Sequence, residues 1–230
     1  MPSNLLTAIR EELEQLADPS RAEDMQRYMK SQMPFYGIQT PIRRKSCHTV
    51  FKKNGPWNFD KWSEATLELW RNARYREERY AAIDLVDWKP SKAFHTWNAL
   101  PLFEEIIVTG AWWDYCDNMA SPLGNILRST PEQMRREMLN WSKDDDMWKR
   151  RSSILCQLRF KDELDFDFLK HCIEPSIDSK EFFLRKGIGW ALRDHAWTYP
   201  AEVKKYVEDN SERLSGLSKR EALKNMHKLL

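Results

Sequence analysis

Three short stretches decide how this chain is built: Arg79-Tyr80-Ala81-Ala82-Ile83-Asp84-Leu85, Arg150-Arg151-Ser152-Ser153-Ile154-Leu155 and Arg185-Lys186-Gly187-Ile188-Gly189-Trp190. Each opens on a basic residue, carries a small residue two positions later (Ala81, Ser152, Gly187) and runs on into apolar ones. Ser152 and Gly187 are 35 residues apart, and Ala81 and Ser152 are 71 apart, about two such periods. The absent member belongs near residue 117, where the chain reads Trp113-Asp114-Tyr115-Cys116-Asp117. A period of 35 to 36 residues suits paired helices stacked as HEAT-like repeats, because a single pair cannot bury its apolar face alone. Stacks of this kind bury one helix of each pair and display the other along a concave surface.

The remaining punctuation is helical too. Ser3 can cap a helix whose apolar stripe is Leu5, Leu6, Ile9, Leu13 and Leu16. Pro19 opens a second helix expected to reach about Met33, and the Thr40-Pro41 pair opens a third. Asn58 or Asp60, Pro90, Pro101, Thr130-Pro131, Ser179 and Ser218 mark later starts, and no run alternates convincingly enough to be a strand. The expected fold is therefore all-α, a HEAT-like helical-repeat solenoid with a concave cleft, in a single domain over residues 1–230.

Composition limits the function. With 41% apolar and 31% charged residues the chain has a folded, globular balance. Eleven tryptophans must fill a core or serve a binding surface. A formal net charge of +2 gives no overall attraction to a polyanion, so a nucleic-acid partner would need the bases gathered on one face. The first forty residues fit such segregation, with Glu11, Glu12, Glu14, Asp18, Glu23 and Asp24 against Arg10, Arg21, Arg27 and Lys30. Cys47, Cys116, Cys156 and Cys172 lie far apart without a C-x-x-C pair, which reads as reduced thiols rather than a zinc or disulfide framework. His171 beside Cys172 lacks further ligands, so neither metal nor cofactor is expected. No apolar run approaches the ~20 residues that span a bilayer, and the N-terminus reads as an amphipathic helix rather than a secretory signal. The expectation is a cytoplasmic monomer without membrane association.

Asp117 breaks the repeat pattern. It stands where three repeats carry small residues, and local rules tend to break at functional sites. Trp113 and Asp117, at i and i+4, share a helix face. The same register aligns Trp113 with Trp148 and Phe183, and Tyr80 with Cys116, Arg151 and Lys186. Arg151 and Lys186 therefore come from neighbouring repeats, and Trp190 lies one turn beyond Lys186. Aromatic, acidic and basic residues together suit a phosphodiester backbone and its sugars. Plainer readings stand beside this one. Asp117 can pair with Arg151 as a structural ion pair, and Trp190 can be core. Trp112 and Trp113 divide between core and cleft, and spacing does not say which is which. Arg43-Arg44-Lys45 and Lys149-Arg150-Arg151 are basic runs that either lie as solvated faces or touch phosphate.

Wider motifs carry a resemblance. Arg27-Tyr28-Met29-Lys30, followed by Gly37-Ile38-Gln39-Thr40-Pro41 and Arg43-Arg44, resembles the N-terminal signature of the AlkD family of HEAT-like-repeat DNA alkylation repair glycosylases. Glu105-Ile106-Ile107-Val108-Thr109 running into Trp112-Trp113-Asp114 and Asp117 is similar to the family's central motif. Lys180-Glu181-Phe182-Phe183 with Lys186, Ile188-Gly189-Trp190 and Arg193, then Leu217-Ser218-Lys219-Arg220-Glu221-Ala222, is similar to its C-terminal motif. The likeness spans nearly the whole chain, and the loop over residues 51–60 departs from it.

The resemblance implies a monofunctional glycosylase acting on double-stranded DNA that contains alkylated purines. Its products would be the free N3- or N7-alkylpurine and an abasic site, with the base left stacked and bulky cationic adducts tolerated. Asp117 falls on the family's catalytic carboxylate, Trp113 and Trp190 on aromatics embracing the sugar, and Arg151 on an essential arginine. Tyr28 falls on a cleft tyrosine, while Arg43, Arg44, Lys186 and Arg193 are DNA-binding candidates. A cationic base leaves without further protonation, and a fixed carboxylate stabilises the oxocarbenium-like sugar. Other classes remain open: a non-catalytic HEAT-like protein that binds distorted DNA, or a scaffold that binds a peptide.

Overall fold

The computed structural model describes residues 3–55 and 57–228, among which fourteen α-helices and several short 3-10 turns occur and no strand. The chain divides into two compact units, Met1–His95 and Thr96–Leu230.

In the first unit α1 (Asn4–Gln15) is capped by Ser3, whose hydroxyl accepts the Leu6 N–H at 3.2 Å. Its stripe of Leu5, Leu6, Ile9 and Leu13 is buried. Asp18 caps α2 (Pro19–Met29). That helix stops short of Met33 because Lys30 turns into the left-handed region at φ 50°. The Ser31 hydroxyl then donates to the Met33 carbonyl, closing a local turn that competes with further helix. Next come α3 (Thr40–Asn54), α4 (Phe59–Arg71), capped by Asn58, and α5 (Arg76–Asp87). Pro90 opens only a 3-10 turn, Lys89–Phe94. The helices α1, α3 and α4 pack around α5, burying Ile9, Leu13, Phe51, Trp62, Leu69 and Leu85 completely. Full burial of a side chain of this size contributes about 1.5–3 kcal/mol.

The core of this unit also holds charge. The buried Glu77 carboxylate accepts the N–H groups of Tyr36, Gly37 and Ile38 at 3.0, 2.9 and 3.1 Å. It thereby pins the segment entering α3, where Gly37 sits at φ 88° with no room for a Cβ beside the Asp18 carbonyl.

The second unit contains α6 (Leu100–Gly110), α7 (Trp113–Asn118), α8 (Ala120–Ser129), α9 (Pro131–Trp141) and α10 (Met147–Leu155). It continues with α11 (Phe166–Ile173), α12 (Phe182–Ala196), α13 (Pro200–Asp209) and α14 (Gly216–Ala222). Within it α7 packs on α10, α10 on α12 and α12 on α14, one row of helices in the order of the sequence repeats. Behind that row α9 and α11 touch each other and α10, and α13 backs α12. Two expected helix starts move. Ser179 accepts the Glu181 N–H just outside α12. Ser215, not Ser218, caps α14, and Ser218 inside the helix donates to the Arg185 carbonyl at 3.0 Å. Trp141 and Trp148 are buried here, as Trp62 and Trp70 are in the first unit.

Candidate functional site

The site in the second unit begins where α6 ends. Ala111 takes a left-handed conformation, φ 45°, and Trp112 follows as an extended N-cap, so α7 starts at Trp113. Trp113 and Asp117 then lie one turn apart on α7. From α10, Arg151 meets Asp117 as a fork: Nε donates to Oδ1 at 2.8 Å and Nη2 to Oδ2 at 2.9 Å. The third arm, Nη1, donates to the Phe183 carbonyl at the start of α12. Arg151 is thus held from both neighbouring helices. Its side chain is 5% exposed and that of Asp117 14%. Gly187 of α12 explains the small-residue position, since a Cβ there would sit 3.0 Å from Arg151 Nη1. Ser152, at the same position on α10, lies 3.1 Å from the Cys116 thiol.

Burial is the larger influence and holds the Asp117 carboxyl above its ordinary range, against the opposing hydrogen bonds and charge of Arg151. An arginine stays protonated, so its bidentate fork is matched by a carboxylate rather than a neutral acid. The ion pair offered by the plainer reading of the sequence therefore exists, with geometry suited to fixing a negative charge.

The neighbouring tryptophans divide. Trp112 packs with Phe183 (ring centroids 5.5 Å apart) and Trp148 (6.4 Å), and Trp148 meets Phe183 at 5.0 Å. Trp112, not the register-aligned Trp113, therefore joins the aromatic wall, because the extended N-cap turns its side chain off the α7 face. Trp113 and Trp190 are half-buried and make no ring contact among the described residues. On α12, Lys186 and Arg193 converge on Glu221 of α14, Lys186 Nζ at 2.8 Å from Oε1 and Arg193 against Oε2. The Lys186 hydrogen bond foremost, and Arg193 with it, holds the Glu221 carboxyl below its ordinary value. Glu221 stands in the Leu217–Ala222 motif, which by itself gives it no role. Its signal was its place 35 residues after Lys186, one repeat period on.

The other candidates belong to the first unit. Tyr28, near the end of α2, is 77% exposed. Arg43 is buried against Asp84, Nε to Oδ2 at 2.8 Å, with its guanidinium 4.7 Å from the Tyr80 ring centroid. Arg44 pairs with the other Asp84 oxygen at 2.9 Å and remains partly exposed. Asp84 is the partner that sequence reasoning missed, its tie to Arg43 and Arg44 spanning two helices and about forty residues. Among the described residues no group of three or more His, Cys, Asp or Glu could hold a metal ion, and no helix is long and apolar enough to cross a membrane. All four cysteines are free and buried, and burial pushes the Cys116 thiol up to about 12.

A row of repeat helices with carboxylate-fixed cations between neighbours defines a helical-repeat protein. The profile of the DNA alkylation repair enzyme family matches residues 9–226, and the chain belongs to that family. A solved structure described as a predicted DNA alkylation repair enzyme from Enterococcus faecalis is similar at 27% identity and TM-score 0.81, covering 90% of this chain and 95% of that one. AlkD2 from Streptococcus mutans shares the fold at 15% identity and TM-score 0.59, covering 81% and 90%. The smu.31 protein from Streptococcus mutans UA159 does so at 14% identity and TM-score 0.61, covering 95% and 98%. No curated protein matches the sequence.

Proposed function

We propose that this protein is a monofunctional DNA glycosylase that hydrolyses the N-glycosidic bond of N3- and N7-alkylated purines in double-stranded DNA, leaving an abasic site without flipping the base. The observation that carries the reading is the Asp117 carboxylate, standing at a small-residue position and held rigid by the Arg151 fork. The alkylated base is already cationic, so departure needs no general acid. Positive charge grows on the deoxyribose as the bond breaks. A carboxylate already fixed in place stabilises that charge without reorganising at the moment of reaction. Arg151 uses one lone pair on each oxygen, and the others stay available to the sugar or to the attacking water. Trp113, one turn from Asp117, and Trp190 would add cation–π contacts to the same sugar. Lys186 and Arg193 in the second unit would meet phosphates, as would Arg44 in the first, the unit that also carries the exposed Tyr28. Arg43, sealed against Asp84, serves by holding Arg44's carboxylate partner.

The geometry favours one second reading. Both Asp117 oxygens are engaged by Arg151, which suits a repeat protein that binds distorted DNA without chemistry. Release of 7-methylguanine from duplex DNA separates the two. Asp117→Asn is expected to lose on the order of 10²–10³ in rate. Equal rates for variant and wild type would refute the role of Asp117. Tight, salt-sensitive DNA binding without release would select the second reading.

A further inference from the structure

The cations of α10 and α12 divide sharply. Lys149 is held by Glu104 and Asp144, at 2.9 and 2.6 Å, and Arg151 by Asp117. Lys186 and Arg193 share Glu221. The two that remain, Arg150 and Arg185, have no ion pair and no side-chain hydrogen bond among the described residues. They are one residue type at one position of the repeat, 35 residues apart. Arg150 is felt electrostatically by Asp144, whose carboxyl is held low mainly by Lys149.

Both are half-buried, with Nε shut off from solvent and unpartnered. The stems are therefore held by packing, and the terminal nitrogens remain as open donors. An arginine fixed along its stem has little rotamer freedom left to lose when it captures an anion, and its planar fork matches phosphate. The third arginine of the register, Arg79 in the first unit, is engaged instead: its guanidinium lies 4.6 Å from the Trp70 ring centroid.

We propose that Arg150 and Arg185 form a ladder of phosphodiester-binding residues, one per repeat, that grips a nucleic-acid strand laid across α10 and α12. Packed helix axes lie about 8–10 Å apart, and the phosphates of one strand advance about 3.4 Å along the duplex axis per nucleotide. For a duplex whose axis follows that row of helices, the two arginines address phosphates roughly two to three nucleotides apart. A polymer with charges at fixed intervals suits donors that the fold repeats at fixed intervals. The ladder rests on the DNA-binding part of the proposed function and assigns it residues outside the Asp117 site.

The test is a salt titration of full-length protein binding to undamaged duplex DNA, from about 50 to 200 mM. Arg150→Gln and Arg185→Gln are each expected to flatten the slope of log affinity against log salt by about 0.9, and the double variant by about twice that. Arg150→Lys with Arg185→Lys should keep the slope. Methionine variants, which retain the packed stem without the charge, should match glutamine and guard against a folding artefact. An unchanged slope in the double variant overturns the ladder, and so does a wild type that shows no salt-dependent binding. A wild type that binds DNA but releases no base sinks the glycosylase reading and leaves the arginines to be judged by the slopes.

Discussion

Replacing Gly187 with alanine should weaken catalysis without weakening the fold. In the middle of α12 the new methyl favours helix by about 0.5–1 kcal/mol over glycine. Against that, its Cβ would lie 3.0 Å from Arg151 Nη1, with the Arg151 Cγ and Cζ at 3.7 and 3.8 Å. Ordinary contact begins near 3.4 Å, so the guanidinium must recede by about 0.4 Å. The fork to Asp117 is made at 2.8 and 2.9 Å, and a shift of that size is enough to spoil the length and alignment of both bonds. A misplacement of 1 Å costs as much as 10²-fold in rate, so somewhat less than half of that predicts a loss of about 5- to 10-fold. The assay is single-turnover release of 7-methylguanine, paired with a thermal melt. The melt should stay within about 2–4 °C of wild type, the scale of 1 kcal/mol in a chain of this length. Wild-type release by Gly187→Ala would refute the idea that Arg151 must be held in place to position Asp117. A collapse of the melt would refute the view that only a side-chain tip has to move.

Two further substitutions read the same row of helices. Gly189→Ala makes the identical chemical change two residues away, but its Cβ would meet the Glu221 Cβ at 2.5 Å and the Ser218 carbonyl oxygen at 2.9 Å. Backbone cannot swing aside, so α14 must shift, and a loss of about 1–3 kcal/mol read by denaturant unfolding is expected; a melt like that of wild type would show the α12–α14 contact to be slack. Glu221→Gln frees Lys186 and Arg193 from their shared carboxylate. Undamaged duplex should then bind more tightly, with a salt slope steeper by about 1 to 2, and unaltered binding would place those two cations away from DNA.

The repeat was legible because its period rests on residues that must stay small, and each does so for a local reason. Ser152 faces a thiol, Gly187 a guanidinium, and Gly189 in the same stretch a neighbouring helix. The caps at Ser3 and Asn58 were legible too, since a side chain bonding a nearby N–H depends on neighbours in sequence. Less local features were not. Which of Trp112 and Trp113 joins the aromatic wall was not legible, because the left-handed Ala111 sets where α7 begins. Ser218 looked like a cap but lies inside a helix, bonded to a carbonyl 33 residues earlier.

By itself, then, the sequence determined an all-helical chain with a repeat of 35 to 36 residues and singled out Asp117 as a carboxylate among small residues. Those properties follow from backbone geometry and hydrophobic periodicity, which act over one or two turns. Only the tertiary structure decided which charges are spoken for. It joined Asp117 to Arg151, Lys186 and Arg193 to Glu221, and Arg43 and Arg44 to Asp84, while Arg150 and Arg185 make no ion pair among the described residues. Ion pairing falls off over a few ångströms, and the partners lie 28 to 41 residues apart along the chain, so stacking of the helices selects them.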